Sequence, residues 1–469
     1  MVGQDYPRRI IMDKQILDIK DLYEGLKNNN LHEQEVTVNG WIRTNRNNGH
    51  IGFIELHDGT CFKGVQLVYS EGNDFGTYSH LHTGASIEAT GKLVLTPNMP
   101  QPFEIHVTTI TLIGDCPEDY PLQKKRASFE FLRDNAHLRP RANTFQAVFR
   151  VRNVLAMAVH TYFQSHGFMY VHTPEITGND AEGAGQVFNV TTGPKNDPTD
   201  FFGKKASLTV SGQLHVEAFM EAFKKVYTFG PTFRAEKSNT PRHASEFWMI
   251  EPEVAFIHLK EDMELIEDCL KYCIKYVLEH CPDEMNFFDK FIQPGLKQKL
   301  NDVVNASFKI MKYEEALGIL KKAYEGGHHF DNHDFVWGMD FQSEHERYLT
   351  EVVVNGPMFL IDFPKEIKAF YMKENEDGRT VAGCDLLVPG EGEIVGGSER
   401  EVRYDVLKAK MDKIGNTQGL EWYLNLRKYG SVPHAGFGIG FDRLLMYVTG
   451  IQNIRDVQPY PRTSNQLKY

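Results

Sequence analysis

The chain has 469 residues, enough for two or three domains and a large core. It is 41% hydrophobic, 12% aromatic and 24% charged, the balance of a soluble globular protein, and it contains no run of ~18 apolar residues of the kind that spans a membrane. A formal charge of −12 excludes global attraction to nucleic acid but leaves room for a local basic track.

The N-terminal MVGQDYPRRIIMDKQILDIK has arginines but neither a continuous apolar stretch nor a small-residue cleavage site, so it does not read as a secretory signal, and Met12 is an alternative start to Met1. Residues 16–30 predict a lead-in helix. VTVNGWIRT, HIGFIELHDG, KGVQLVYS, SIEATGKLVLT and FEIHVTTITLIG, all within residues 36–114, alternate apolar and polar positions between Gly, Asn and Asp turns. Five such short strands predict a small barrel of the OB type. Trp41, following a glycine inside a strand, is expected to fill that barrel. The stretch KKRASFEFLRDNAHLRPR (Lys124 to Arg141) is basic and Pro-bounded, either a solvated linker or a track for a polyanion.

From Asn143 the period changes to that of a helix, with apolar residues at 145, 148, 151, 155, 159 and 163 and Gly167 as the stop. A strand FMYVHTPEI, a helix around Gln213 to Lys225, a strand pair through residues 225–255 and an amphipathic helix at Lys260 to His280 follow. Further strands are predicted at MFLIDFP, AFYMKE, VAGCDLLVP and GEIVGGSER. Hairpin-connected strands with segregated helices indicate an α+β fold on an antiparallel sheet. The expected domains are therefore 1–115, a hinge at 116–142, and 143–469. Six scattered cysteines form no Cys-x-x-Cys pair, which speaks against a zinc site or disulfide framework and fits a reducing cytoplasm; Cys269 and Cys273, one turn apart, read as helix core.

The densest chemistry lies in FRAEKSNTPRHASEFWMIEPE (Phe233 to Glu253), two strands around a polar loop. Arg234, Arg242 and His243 can hold phosphate oxygens by charge-assisted hydrogen bonds, Phe247 can stack on a base, and Glu236, Glu251 and Glu253 can bind a metal or accept from amino groups. Taken alone, a solvated charged hairpin is the other reading.

Three segments in order decide between them. GFMYVHTPEI, GPTFRAEKSNTPRHASEFWMIEPE and GFGIGFDRLLMYVTG resemble motifs 1, 2 and 3 of the class II aminoacyl-tRNA synthetases, in the subgroup for aspartate, asparagine and lysine. The resemblance runs from about Val36 to the C-terminus. It implies that Arg234 bridges the α-phosphate of ATP and the amino-acid carboxylate, that Glu236 contacts the adenine, that Phe247 and Arg443 sandwich it, and that Arg242 and His243 touch the outer phosphates. It also implies that Asp385 and Glu393 hold Mg2+. Glu182, Ser211 and Gln213 match residues around the substrate α-amino group. Arg234, Arg443 and Glu393 are the expected catalytic groups.

The amino acid is expected to be L-asparagine. In aspartate enzymes of this family a lysine is expected in the segment written here SGQLHVE, where Val216 stands; Arg400 in GGSER keeps the second cation. Glu251, or else Glu253, would accept from the amide and repel an aspartate. The expected product is asparaginyl-adenylate, passed to the 3′ end of tRNA(Asn) with release of AMP and pyrophosphate. In the barrel the resemblance implies that Phe53 stacks an anticodon base, that Gln66 contacts one, and that Arg43 and Arg46 lie near the backbone. Pro174 matches the motif 1 proline, which implies an isologous homodimer. The alternatives are an enzyme that charges aspartate, alone or together with asparagine, and a non-catalytic relative that binds RNA or senses amino acids.

Overall fold

Alternation in the first strands closes a barrel. In the computed structural model β1 (Glu35–Asn47), β2 (Ile51–His57), β3 (Val65–Ser70), β4 (Ser86–Leu95) and β5 (Phe103–Gly114) join in the order β1-β2-β3-β5-β4. Val36, Val38, Ile42, Ile54, Leu56, Leu67, Ile87, Leu93 and Ile105 point inward and are buried. A Cβ on Gly52 would run into the ring of Tyr69, so a glycine there lets the tyrosine fill the interior. The helix Ile19–Leu26 adds Ile19 and Leu22 to this core. The structure describes residues 16–26, 32–72, 74–123, 127–179, 186–193, 199–238, 240–415, 417 and 419–469.

Trp41 is not in the barrel core: it is 49% exposed. The inward positions of β1 are Val36, Val38, Gly40 and Ile42, so strict alternation puts residue 41 outside. The basic stretch is also only partly a surface. Arg139 is fully buried, with its guanidinium 4.4 Å from the ring of Phe145, so it is packing rather than a phosphate contact. Lys124, Lys125 and Arg126 lie outside the described residues.

The chain divides into two compact units, Met1–Ala147 and Val148–Tyr469. The second is built on an eight-stranded sheet in the order β11-β12-β13-β14-β15-β10-β9-β6. Its members are β6 (Met169–Tyr170), β9 (Lys225–Phe233), β10 (Glu246–Ala255), β11 (Lys309–Lys312), β12 (Met358–Pro364), β13 (Thr380–Val388), β14 (Gly392–Glu399) and β15 (His434–Gly440). The six central strands are antiparallel, as hairpin connections require, but β6 and β11 add to the two edges in parallel. The sheet is therefore mixed. A two-stranded piece, β7 (Ile176–Thr177) with β8 (Ser207–Leu208), stands apart.

Two expected strands shrink. FMYVHTPEI pairs only at its two ends, and Pro174 between them has no N–H to offer a ladder. AFYMKE makes only isolated bridges, Met372 with Arg400 and Glu374 with Val381. The helix Asn143–Ser165 is present and buries Val148, Val151, Leu155, Val159 and Phe163; Gly167 follows it at φ 75°. The helix Leu259–His280 buries Ile266, Cys269, Leu270, Cys273, Ile274 and Val277, so the two cysteines are core. Helices Pro282–Phe291, Leu296–Asn305 and Tyr313–Glu325 fill a stretch with no sequence assignment.

Candidate active site

Strand β10 presents Phe247, Met249, Glu251 and Glu253 to one face of the sheet, because side chains two residues apart share a face. Four residues of strand separate Phe247 from Glu251 by about 13 Å. Next to β10, Gly436 pairs with Glu253 and with Ser398, and Gly438 pairs with Gly396, which pairs with Asp385. The same register brings Glu251 opposite Gly438. A row thus crosses the sheet from Asp385 over two glycines to Glu251, with carboxylates at its ends and no side chain between.

The nucleotide-type groups gather at the Phe247 end. The Arg234 guanidinium lies 5.3 Å from the Phe247 ring centroid. Arg443 sits in the first turn of the helix Phe441–Thr449 and lies across Gly440. That helix is pinned by Asp442, which accepts from Arg152 Nη1 at 2.6 Å and from the Trp248 N–H at 3.0 Å. Burial, then the charges of Arg443, Arg234 and Arg242, push His243 below its ordinary value, with Glu236 opposing them. His243 is therefore a neutral ring among cations, with Nδ1 facing Ser238 Oγ at 3.1 Å and Thr240 Oγ1. The structure brings Arg234, Glu236, Arg242 and Arg443 around His243, with Phe247 against Arg234.

Asp385 and Glu393 meet over Gly396, where a Cβ would stand 3.3 Å from Glu393 Oε1 and 3.7 Å from Asp385 Oδ1. Burial pushes Asp385 up to about 6, Lys368 opposes the shift, and Glu393 adds to it. Lys368 Nζ donates to Asp385 Oδ2 at 2.6 Å. Glu346, pushed up to about 7 by burial and by Glu393, accepts from the Glu393 N–H at 3.1 Å. Crowded hard oxygens of this kind fit a divalent cation such as Mg2+, which binds through one or two carboxylates. Lys368 and Glu346 were not singled out in the sequence; Glu346 lies 47 residues from Glu393, and no spacing links them.

At the other end the groups are more committed than the sequence implies. Glu251 Oε1 accepts from Ser211 Oγ and Oε2 from the Gly212 N–H at 2.9 Å, so both oxygens already hold the loop that opens the helix Gln213–Phe223. Arg400 is 3% exposed; its Nε donates to Glu253 Oε1 at 2.9 Å, its Nη2 to the same oxygen, and its Nη1 to Ser398 Oγ at 2.7 Å. Burial pushes Glu253 up to about 7 against the pull of Arg400. Gln213 Nε2 is buried and has no hydrogen-bond partner among the described residues. Val216, where the aspartate enzymes are expected to carry a lysine, is fully buried with Val171, Met220, Val226 and Ala255 as a core residue. Behind it, Glu217 accepts from Arg427 Nη2 and His434 Nε2, each at 2.8 Å, and from Tyr423 OH at 2.6 Å. Burial opposes ionisation of Glu217, but Arg427 and His434 outweigh it and hold the carboxyl well below its ordinary range. Its place one turn after Gln213 was the only sequence signal. Glu182 lies outside the described residues.

On the barrel, β1, β2 and β3 carry a second constellation on their outer face. A bulge in β1 between Ile42 and Thr44 re-aims the strand so that Arg46 pairs with Phe53. The Arg46 guanidinium lies 5.5 Å from the Phe53 ring, and Arg46 Nη2 donates to Gln66 Oε1 at 3.5 Å. Gln66 Nε2 donates to Glu104 Oε2 at 3.0 Å, and Arg43 pairs with Glu55 at 3.4 Å. Phe53, Gln66 and Arg43 thus share one half-exposed patch.

A barrel with an aromatic and amide outer face, and a mixed sheet with arginines, a phenylalanine ring and paired carboxylates gathered over one face, define a class. The chain belongs to the class II tRNA synthetases of the D, K and N group, whose family model matches residues 128–464; a second, the OB-fold nucleic acid binding domain, matches residues 36–113. It is 53% identical over 464 residues to the asparagine–tRNA ligase of Alkaliphilus oremlandii, covering 96% of this chain and 99% of that one. It is 54% identical over 471 residues to the asparagine–tRNA ligase of Clostridium beijerinckii, covering 98% and 100%. Among solved structures, asparaginyl-tRNA synthetase from Pyrococcus horikoshii complexed with asparaginyl-adenylate superposes with a TM-score of 0.83 at 33% identity, covering 93% of this chain and 96% of that one.

Proposed function

We infer that this chain activates L-asparagine with ATP and transfers the asparaginyl group to the 3′ end of tRNA(Asn). The observation that carries the choice of amino acid is the Arg400 pair. The Arg400 guanidinium is already matched by Glu253, and Glu251 lies within reach of its charge and of Arg234. A substrate side-chain carboxylate would enter beside two glutamates that already claim Arg400, whereas a neutral amide adds no further negative charge.

The chemistry needs no covalent enzyme intermediate. The asparagine carboxylate attacks the α-phosphorus, the bond to pyrophosphate breaks in line, and a hydroxyl of the terminal ribose then takes the acyl group and releases AMP. Arg234 is placed to bridge carboxylate and α-phosphate, so its work is orientation and charge neutralisation. Phe247 and Arg443 hold the adenine, and Arg242 and His243 the outer phosphates. Asp385 and Glu393 would hold Mg2+, which when bound neutralises phosphate charge. Gln213 offers its unpartnered Nε2 to the substrate end. Phe53, Gln66 and Arg43 form the anticodon contact, by stacking and amide readout.

The chain works as a homodimer in this reading. Met169, Tyr170 and Trp248 are exposed, and Tyr170, Phe229 and Trp248 are linked through His160 and ring contacts, an apolar surface suited to an isologous contact. Six free cysteines suit a reducing cytoplasm. Pyrophosphate exchange with asparagine and aspartate supplied separately tests the reading. Exchange with asparagine, followed by charging of tRNA(Asn), is expected; exchange with aspartate at equal concentration would overturn the pocket assignment.

A further inference from the structure

The turn between β13 and β14 carries Glu391, which belongs to none of the motifs and is 9% exposed. Three contacts hold Arg242, two of them to Glu391. Arg242 Nη1 donates to Ser343 Oγ at 3.0 Å, Nη2 donates to the Glu391 carbonyl oxygen, and Nε lies 3.4 Å from Glu391 Oε1. The turn is itself held on both sides: Glu351 accepts from the Gly390 N–H at 2.9 Å and Glu346 from the Glu393 N–H at 3.1 Å. On the far side Lys299 packs 4.3 Å from the ring of Tyr447, and its Nζ would stand 3.1 Å from a Cβ on Gly390. Glu391 therefore lies between two cations on a rigid turn.

An arginine on a polar loop has many rotamers, and a ligand that has to fix them loses affinity. Here the rotamer is chosen by the protein. A guanidinium has five N–H donors; two are used in hydrogen bonds, Nε is turned to the Glu391 carboxylate, and one N–H on each terminal nitrogen is left for a ligand.

We propose that Glu391 is a positioning residue for Arg242, holding its guanidinium ready for the outer phosphates of ATP before the nucleotide arrives. This rests on the reading of Arg242 as an outer-phosphate contact. The outer phosphates give a readout that a merely structural role would not move, because AMP lacks them.

The experiment is equilibrium binding of ATP and of AMP, each with Mg2+, to the full chain and to Glu391→Ala, Glu391→Gln, Arg242→Ala and the Glu391→Ala/Arg242→Ala pair. Glu391→Ala is expected to weaken ATP about tenfold and AMP less than about twofold, the size of one well-placed interaction. Glu391→Gln, which keeps an acceptor and serves if the alanine variant does not fold, is expected to fall between. Arg242→Ala is expected to weaken ATP at least as much, and the pair no more than Arg242→Ala alone. Normal ATP binding by Arg242→Ala would remove the phosphate reading and the proposal with it. Loss in Arg242→Ala with none in either Glu391 variant would remove the positioning role alone. Equal loss of ATP and AMP in Glu391→Ala would make Glu391 a packing residue, and tighter ATP binding would make it a competitor; both overturn the proposal.

Discussion

The two candidate sites are built on opposite principles. The barrel patch is made of near neighbours across adjacent strands, Arg46 with Phe53 and Gln66 with Glu104, on an outward, half-exposed face. The second unit relies instead on buried pairs between groups far apart in the chain, such as Arg400 with Glu253 and Glu217 with Arg427. Exposed ion pairs are screened and weak; buried ones are costly to break because the remaining partner stays charged and dry. Changes on the catalytic face should therefore be severe and bear on both fold and chemistry, while changes on the barrel should be mild and bear on tRNA.

The largest effect is expected for Arg234→Ala, a loss of asparagine-dependent pyrophosphate exchange of roughly 10³-fold, as for removal of a group that neutralises transition-state charge. Glu217→Ala should destabilise the second unit by about 3–5 kcal/mol in chemical denaturation, since it leaves Arg427 and His434 without their buried partner.

Asp262 sharpens the same point through pH. Its carboxyl oxygens have no hydrogen-bond partner among the described residues, and burial pushes it up to about 7 against the opposing charge of Arg400. The folded chain then keeps a proton that the unfolded chain has released, so stability should fall as pH rises from about 4 to 7, by up to about 4 kcal/mol. Asp262→Asn should flatten that slope in pH-dependent thermal unfolding; an unchanged slope would break the account.

On the barrel, Phe53→Ala should weaken tRNA binding by about 1–3 kcal/mol, the value of one stacked base, in a direct binding titration. The smallest effect is expected for Trp41→Ser, a stability change within about 0.5 kcal/mol. A loss of several kcal/mol would return Trp41 to the core.

The same contrast governs how much of the molecule was legible beforehand. The five barrel strands follow from alternation, and even Trp41 was decipherable, since Val36, Val38 and Ile42 share one parity and residue 41 has the other. The Phe247 end of the catalytic face was legible because its groups fall within one hairpin and one helix start. The pairing of Arg400 with Glu253 was not, because 147 residues separate them and their partnership is a property of sheet order. The surroundings of Val216 were not legible for a related reason: one turn of a helix offers neighbouring residues to the sheet face and to the core, and spacing alone does not say which is which. The parallel edge strands β6 and β11 are two and four residues long, too short for a periodic signal.

Strand β10 sets a reading frame for the catalytic face. Phe247, Glu251 and Glu253 all lie on it at even spacing, so one inserted or deleted residue between 247 and 253 would turn the downstream glutamates onto the opposite side of the sheet. The loop that follows Phe233 is outside that alternation: only its ends belong to the ladder, and its middle is held by separate contacts through Thr240, Pro241 and Arg242. Length variation among sequences that keep this chemistry should accordingly fall in the loop and avoid the strand, a pattern open to simple insertion scanning.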